Sequence, residues 1–405
     1  MTKLKVLLLE AVHPQVQVAL EEAGFAVTYE NRAWTEEELI KNAKDFSVIG
    51  LRSKTKLHKS TLEKLPQLLA VGAFCIGTDQ VNLSAAGKLG IPVFNAPYGS
   101  TRSVAELVLC EMIALSRRLC DLNQATHSGV WAKSTTGMQE LRSKVLGIVG
   151  YGHIGSQVSI LAEFFGMKVL YYDVKKTLAL GNATAVSSLK SVLQQSDFVS
   201  LHVPNTEVTN NLITKQELSL MKKSAFLINA SRGSVVNLED LKEALTAKNL
   251  AGAAIDVYPV EPKKKGDAFN TALQNLENVI LTPHIGGSTL EAQEAIGTEV
   301  SQSLIDFIAR GDTSNAVNVP AVSLPKNIRP DFRDLIHFHE NKPGVLGEVN
   351  KIISSYNINV KAQSLSTNDE VGCLLMRIDY LDQDIFEKVL EKIQDLKPSI
   401  STRSL

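Results

Sequence analysis

Residues 144–173 read KVLGIVGYGHIGSQVSILAEFFGMKVLYYD. A β-branched apolar run from Val145 to Val149 stops at a glycine cluster. Val158, Leu161, Ala162 and Phe165 then recur at helical spacing, and a second apolar run, Val169 to Tyr172, ends in Asp173. Strand, glycine turn, helix, strand and acid follow one another as a dinucleotide-binding unit requires. Gly150 permits the tight turn off the strand, Gly152 lets backbone approach a pyrophosphate, and Gly155 allows close packing of helix on strand. The phosphates belong at the helix N-terminus, where unpaired N–H groups and the helix dipole favour an anion. Asp173, 18 residues beyond Gly155, can accept hydrogen bonds from ribose hydroxyls and would repel a 2′-phosphate, so NAD is expected rather than NADP. Lys175 and Lys176 would soften that discrimination, although a lysine pair after a strand is usually a solvated turn. Three glycines alone also mark ordinary turns; the flanking strands, helix and acid single this stretch out.

At 405 residues the chain exceeds what one core normally serves, and two or three domains are expected. Lys plus Arg number 42 against 43 Asp plus Glu, which leaves no global charge for nucleic acid or an anionic membrane surface. No segment approaches the ~20 apolar residues of a transmembrane helix, and MTKLKVLLLE reads as a first strand rather than a leader. Cys75, Cys110, Cys120 and Cys373 have neither metal-ligand nor redox spacing. No metal is expected, and the cysteines read as buried thiols of a cytoplasmic protein.

From the start, apolar runs alternate with helical spacing through LKVLLLE, AVTYE, FSVIGL, LLAVGAF and PVFNAP. Such β/α alternation implies a parallel sheet covered by helices, with ligands held by loops at the carboxyl ends of strands. Those loops carry Arg52 and Ser53, then Gly77, then Ser100. Ser103 with Glu106 has capping-box spacing, and a helix from about Thr101 to Ser128 would span ~40 Å, enough to bridge two domains. Trp131 follows, as an interface or a core residue. Beyond the glycine unit, DFVSLHVP, AFLINA, AGAAIDVY and NVILTPHIGG read as further strands. Ser231 and Arg232 follow one of them, Asp256 and Glu261 another, and His284 a third, so an Arg, a Glu and a His share one sheet edge. Helical spacing from Leu290 to Arg310 ends at Gly311 and returns to complete the first domain. After a proline-bearing linker the last 75 residues read strand, helix, two strands, helix, strand, the ferredoxin-like βαββαβ order.

With these residues in hand the chain resembles the D-isomer-specific 2-hydroxyacid dehydrogenases. GYGHIG, NASRGSVV, DVYPVEP and LTPHIGGST carry the resemblance on the nucleotide side, and IGLRSKT, FCIGTDQVNL and NAPYGSTRSVAE on the substrate side. LIHFHENKPGVL with YNINVKAQ resembles an ACT regulatory domain. The resemblance implies an α/β fold of two doubly wound parallel-sheet domains plus the ferredoxin-like ACT domain. Residues 1–98 with 290–320 would be the substrate-binding domain, 99–289 the Rossmann domain, 321–333 a linker and 334–405 the ACT domain.

It further implies NAD-dependent oxidation of 3-phospho-D-glycerate, the first step toward L-serine. Other 2-hydroxyacid dehydrogenases or reductases, and a non-enzymatic NAD-sensing protein of the co-repressor kind, are the alternatives. Arg232, Glu261 and His284 would be catalytic. Gly150, Tyr151, Gly152, His153, Ile154, Gly155, Asp173, Ala230, Ser231, Arg232, Asp256, His284, Ile285, Gly286 and Gly287 would contact the cofactor. Arg52, Ser53, Gly77, Ser100 and Lys133 would serve the substrate, Ser100 standing where relatives often carry Asn. In the ACT domain L-serine, as effector, would meet His339, Asn341 and Asn359, within a homotetramer joined through nucleotide and ACT domains. Where some relatives have a glycine pair in the linker, this chain has Lys326, Asn327 and Ile328.

Overall fold

Val6, Leu7 and Leu8 are wholly buried, as a strand covered by helices on both faces demands, and they begin the first of three sheets. The computed structural model describes residues 3–262, 266–326 and 332–405. These divide into two compact units, Met1–Pro97 with Glu294–Leu405, and Tyr98–Gln293.

The first unit opens with β1 (Lys5–Leu8), α1 (Pro14–Glu22), β2 (Ala26–Tyr29), α2 (Glu36–Asn42), β3 (Val48–Leu51), α3 (Lys59–Leu62), β4 (Ala70–Ala73), α4 (Leu83–Lys88) and β5 (Val93–Phe94). The strands are parallel in the order β2-β1-β3-β4-β5. The order reverses between β1 and β3, so the loops after these two strands flank the crevice where such sheets bind ligands.

The second unit contains α5 (Thr101–Ser116), α6 (Leu119–His127), β6 (Val145–Val149), α7 (His153–Phe164), β7 (Lys168–Tyr172), β8 (Thr184–Ala185), α8 (Leu189–Gln195), β9 (Phe198–Leu201), α9 (Lys215–Leu218), β10 (Phe226–Asn229), α10 (Leu238–Thr246), β11 (Gly252–Ile255) and β12 (Val279–Leu281). The parallel order is β12-β11-β10-β9-β6-β7-β8, a doubly wound sheet whose switch point lies between β6 and β9. Val104, Val108 and Met112 of α5 pack with Val158 of α7 and with Ile148, Phe226 and Ile228 of the sheet.

Three expectations for this unit are corrected. The helix expected over Thr101–Ser128 is two helices, because Arg118 turns left-handed at φ +50°. There the carbonyl of Ser116 accepts from Gln139 N instead of continuing the ladder. Nor does Ser103 cap α5: Ser100 holds that position, Ser103 Oγ donates to Gly286 O at 2.6 Å and Glu106 pairs with Arg102. The cysteines are not uniformly buried either. Cys373 is, but Cys110 and Cys120 lie exposed on α5 and α6, since apolar sequence neighbours on a helix point elsewhere. Trp131, 82% exposed, is no core residue within the chain.

The first unit resumes with α11 (Leu290–Arg310), closed by Gly311 at φ +67°. It ends in β13 (Phe332–Glu340), α12 (Val345–Ser355), β14 (Val360–Thr367), β15 (Val371–Asp379), α13 (Gln383–Gln394) and β16 (Ser399–Ser404). This antiparallel sheet runs β14-β15-β13-β16, the ferredoxin-like order. One face carries α12 and α13 over Leu335, Leu374 and Met376. The other joins the first sheet's core, where Ile336, Phe338, Cys373 and Leu375 pack with Phe94, Phe307, Val319 and Val322. Around this shared core Lys88 pairs with Glu370 at 2.8 Å, and Arg403 donates to Phe307 O and Ile308 O at the end of α11. Of the residues singled out in the linker, Asn327 and Ile328 lie outside the described residues.

Candidate active site

The glycine turn is built as a close-approach surface. Gly150 sits at φ +92°, and a Cβ there would meet His202 O at 2.5 Å. A Cβ on Gly155 would meet Gly150 O at 2.3 Å, so helix and strand pack at glycine distance. A Cβ on Gly152 would meet nothing within 4 Å: this side of the turn is open, above the N-terminus of α7, whose cap Gly152 offers no side chain to its amides. That is a cradle for an anion. His153 is exposed beside it, its ring 4.3 Å from that of Tyr98, while Tyr151 is buried and stacked on Tyr171. Asp173 Oδ2 accepts from Tyr151 N at 2.7 Å and Oδ1 from Lys175 N at 2.8 Å. The carboxylate that would face a ribose thus also ties the glycine turn to the end of β7. These residues fit a dinucleotide.

Three loops at the carboxyl edge of the same sheet bring Arg232, Glu261 and His284 together. After β10, the buried Asn229 accepts from Ser231 N and Oγ at 3.1 and 2.8 Å and donates to Arg232 O at 3.0 Å. That shapes the backbone from Ala230 to Arg232, and Arg232 Nη1 donates to Ser231 O at 2.7 Å. The next residue must be glycine, for a Cβ on Gly233 would lie 2.0 Å from Tyr258 C. After β11, Glu261 folds back to accept from Tyr258 N at 3.2 Å. Its two carboxylate oxygens lie 3.0 and 2.9 Å from His284 Nδ1.

His284 stands at φ +55°, in the left-handed region that histidine rarely occupies. The loop is held there by Asp256, 1% exposed. Asp256 Oδ1 accepts from Thr282 Oγ1 at 2.6 Å and Ile285 N at 2.8 Å, and Oδ2 from Gly286 N at 2.8 Å. Asp256 therefore braces the histidine loop with both oxygens. Ser100, 4% exposed, packs against the same loop: a Cβ on Gly287 would sit 3.2 Å from the Cβ of Ser100.

Electrostatics follow from this geometry. The Glu261 hydrogen bond lifts the imidazole of His284 above its ordinary 6.5 against the opposing effect of burial, while Arg232 pulls it down. Burial alone would raise the Glu261 carboxyl. The bond and charge of His284, with Tyr258 N and Arg232, hold it below the usual carboxylate range instead. With a carboxylate on Nδ1, the ring proton resides there and Nε2 is left as the acceptor. The His284 side chain is 47% exposed, open enough to meet a substrate.

In the other unit, Arg52 and Ser53 follow β3, whose carboxyl end flanks the switch point, and Gly77 follows the next strand in the sheet, β4. Two residues that sequence reading passed over fix these loops. Glu10 accepts from Lys54 N and Thr55 N at 2.9 and 2.6 Å. The buried Gln80 donates to Arg52 O at 2.7 Å and Gly77 O at 3.2 Å. Their one sequence signal was position: Glu10 ends an apolar strand, and Gln80 lies in the loop after β4. Lys133 is exposed on an irregular stretch of the second unit.

The three effector residues are not brought together within one chain. His339 is buried with Nδ1 2.8 Å from Glu340 O, and Asn341 donates to Asn368 O at 2.7 Å. His339 pairs with Gly372 of β15, whereas Asn359 O accepts from Asp379 N. Seven residues of extended strand separate these levels, roughly 23 Å at ~3.3 Å per residue.

Residues 109–286 match the family described as D-isomer specific 2-hydroxyacid dehydrogenase, NAD binding domain, and residues 335–400 match an AHAS small subunit-like ACT domain. The chain is 47% identical over 403 residues to a D-3-phosphoglycerate dehydrogenase of Dictyostelium discoideum, covering 100% of this chain and 97% of the relative. It is 48% identical over 404 residues to a D-3-phosphoglycerate dehydrogenase of Escherichia coli strain K12, covering 100% and 98%. Among solved structures, D-lactate dehydrogenase from Aquifex aeolicus complexed with NAD and lactic acid superimposes with a TM-score of 0.69 at 31% identity, over 78% of this chain and 100% of that one. Similarity along the whole length, the glycine cradle and the paired histidine agree, and the chain belongs to the D-3-phosphoglycerate dehydrogenases, within the D-isomer specific 2-hydroxyacid dehydrogenase family.

Proposed function

We propose that this chain oxidises 3-phospho-D-glycerate to 3-phosphohydroxypyruvate with NAD, the first step toward L-serine. One observation carries the chemistry: His284 Nδ1 is clasped by both oxygens of Glu261 on the strand edge of a dinucleotide-binding sheet. Nε2 takes the hydroxyl proton as the C2–H bond breaks, and the imidazolium that forms is stabilised by the Glu261 carboxylate. NAD, when bound, accepts the hydride with its electron pair. Arg232 holds the substrate carboxylate and, in reverse, polarises the keto group. Gly150 to Gly155 and the α7 amides, with His153 and Ile154, hold the pyrophosphate; Asp173 takes the ribose hydroxyls and disfavours a 2′-phosphate. Ala230, Ser231 and Ile285 to Gly287 line the nicotinamide side, with Asp256 as their brace. Arg52 answers the phosphate of the substrate, with Ser53 and Gly77 in the neighbouring loops of the first unit; Lys133 and Ser100 are the substrate contacts proposed for the second. Steady-state kinetics with 3-phosphohydroxypyruvate and NADH against unphosphorylated 2-oxo acids tests the reading. A kcat/KM higher by about tenfold or more for the phosphorylated acid supports it, and no preference removes the substrate assignment.

L-serine is proposed as the effector. Because His339 and Asn341 lie far along the sheet from Asn359, all three can meet one serine only when two ACT sheets associate, each giving one end. Association through the second unit is proposed as well. Ile113, Leu119, Phe164, Phe165, Val130 and Trp131 all expose apolar surface, and a groove of about 370 Å³ lies between α5, α6 and α7. Two such interfaces per chain build a tetramer. Free thiols, two of them exposed, fit a cytoplasmic setting; no helix among the described residues is long and apolar enough to cross a membrane. Unchanged activity and melting temperature in millimolar L-serine would dismiss the effector.

A further inference from the structure

A carboxylic acid lies inside the core of the second unit. Glu111 of α5 is 2% exposed, between Val108, Met112 and Leu115 of its own helix, which pack on β10 and β11. Neither of its oxygens has a hydrogen-bond partner among the described residues. A buried carboxylate without partners is among the costliest groups a core can hold, so such a group keeps its proton. The strands packed against α5, namely β10, β11 and β12, bear no titratable side chain within their bounds; Asp256, which follows β11, is the charge that bears on Glu111. Tyr258, just beyond, feels both acids. The titratable groups of α6 and α7 (Cys120, Asp121, His127, His153 and Glu163) lie exposed or half-exposed, as do Arg102 and Glu106 on α5 itself. Asp256 in turn carries the three hydrogen bonds that hold the His284 loop at its left-handed turn.

We propose that Glu111 is a positioning residue of the reaction, a buried neutral acid that leaves Asp256 as the single negative charge behind the loop of His284. Ionising Glu111 would set a second carboxylate against Asp256 and weaken its hold on the Ile285 and Gly286 amides. The role rests on His284 being the base. Burial, with the Asp256 charge adding to it, pushes the Glu111 carboxyl up to about 8.

Full-length wild type and Glu111→Gln are compared over pH 6 to 10 by three readouts. In turnover, wild type shows an alkaline decline centred near that value, and the amide, which cannot ionise, loses this decline while keeping the acid limb of His284. In melting temperature, wild type loses stability relative to the amide as pH rises from 6 to about 8. Over that range the folded chain keeps a proton that the unfolded chain releases. In infrared absorption, wild type at pH 7 has a protonated-carboxyl band that the amide lacks. Superimposable turnover profiles overturn the positioning role, and absence of the band overturns the neutral acid. Should the amide fail to fold, Glu111→Met serves for the comparison and the band is sought in wild type. An inactive wild type would overturn the assigned reaction while the melting and infrared results still decide the proton, so the two failures are distinguishable.

Discussion

His284 combines an uncommon backbone angle with a paired imidazole, and each has a cost that the neighbours meet. A non-glycine residue at φ +55° gives up about 1 to 2 kcal/mol, and Asp256 offsets this with charge-assisted hydrogen bonds. His284→Gln should lower turnover by roughly 10² to 10⁴-fold, the usual worth of a general base, at near-normal dinucleotide affinity; titrating cofactor fluorescence beside the rate measurement separates the two. Because Glu261 raises the histidine pKa, oxidation, which needs neutral imidazole, should climb through a pKa above 6.5, and reduction, which needs imidazolium, should fall through it. Glu261→Gln removes the charge that raises it and should move both limbs to lower pH; limbs that stay put would show that the pair does not govern the protonation step. Arg232, Glu261 and His284 were legible in sequence because each follows an apolar strand whose end the pattern marks. Gln80 and Glu111 were not, since Arg52 and Asp256, on which they act, are brought near only by the fold: Glu111 is 145 positions from Asp256.

At the level of elements, what delivers these side chains is the close approach of loops. The turn after β10 runs against the backbone at Tyr258, and Gly233 is what permits it. Gly233→Ala should push the Arg232 loop off by about an ångström and cost on the order of a hundredfold in kcat/KM, with a smaller effect on melting; a variant within twofold of wild type would mean that the loop relaxes freely. The succession of strands and helices along the chain could be read from the alternation of apolar runs with 3.6-residue spacing. The break between α5 and α6 could not, because Arg117 and Arg118 carry no helix-stop signal and the interruption depends on the Gln139 amide taking the Ser116 carbonyl.

Across the whole chain, the ACT sheet is not a tail hung on a linker. Its outer face is part of the core that holds Phe94 and Phe307, and Arg403 sets a guanidinium at the negative end of the α11 dipole, 4.6 Å over the Phe307 ring. Arg403→Ala should cost roughly 2 kcal/mol, read as a lower melting temperature in which the ACT portion loosens first by hydrogen exchange; uniform exchange rates would argue against that junction as the weak point. No single-chain pattern in the sequence discloses such a union, since the contacts run between β16 and a helix about a hundred positions earlier. The strand register has a further consequence. With His339 and Asn341 at one end of the sheet and Asn359 at the other, the serine response proposed above would obey mass action between chains: dilution alone would then erase inhibition while leaving each chain's catalytic edge intact, and the effector's potency would become a measure of how much of this protein is present.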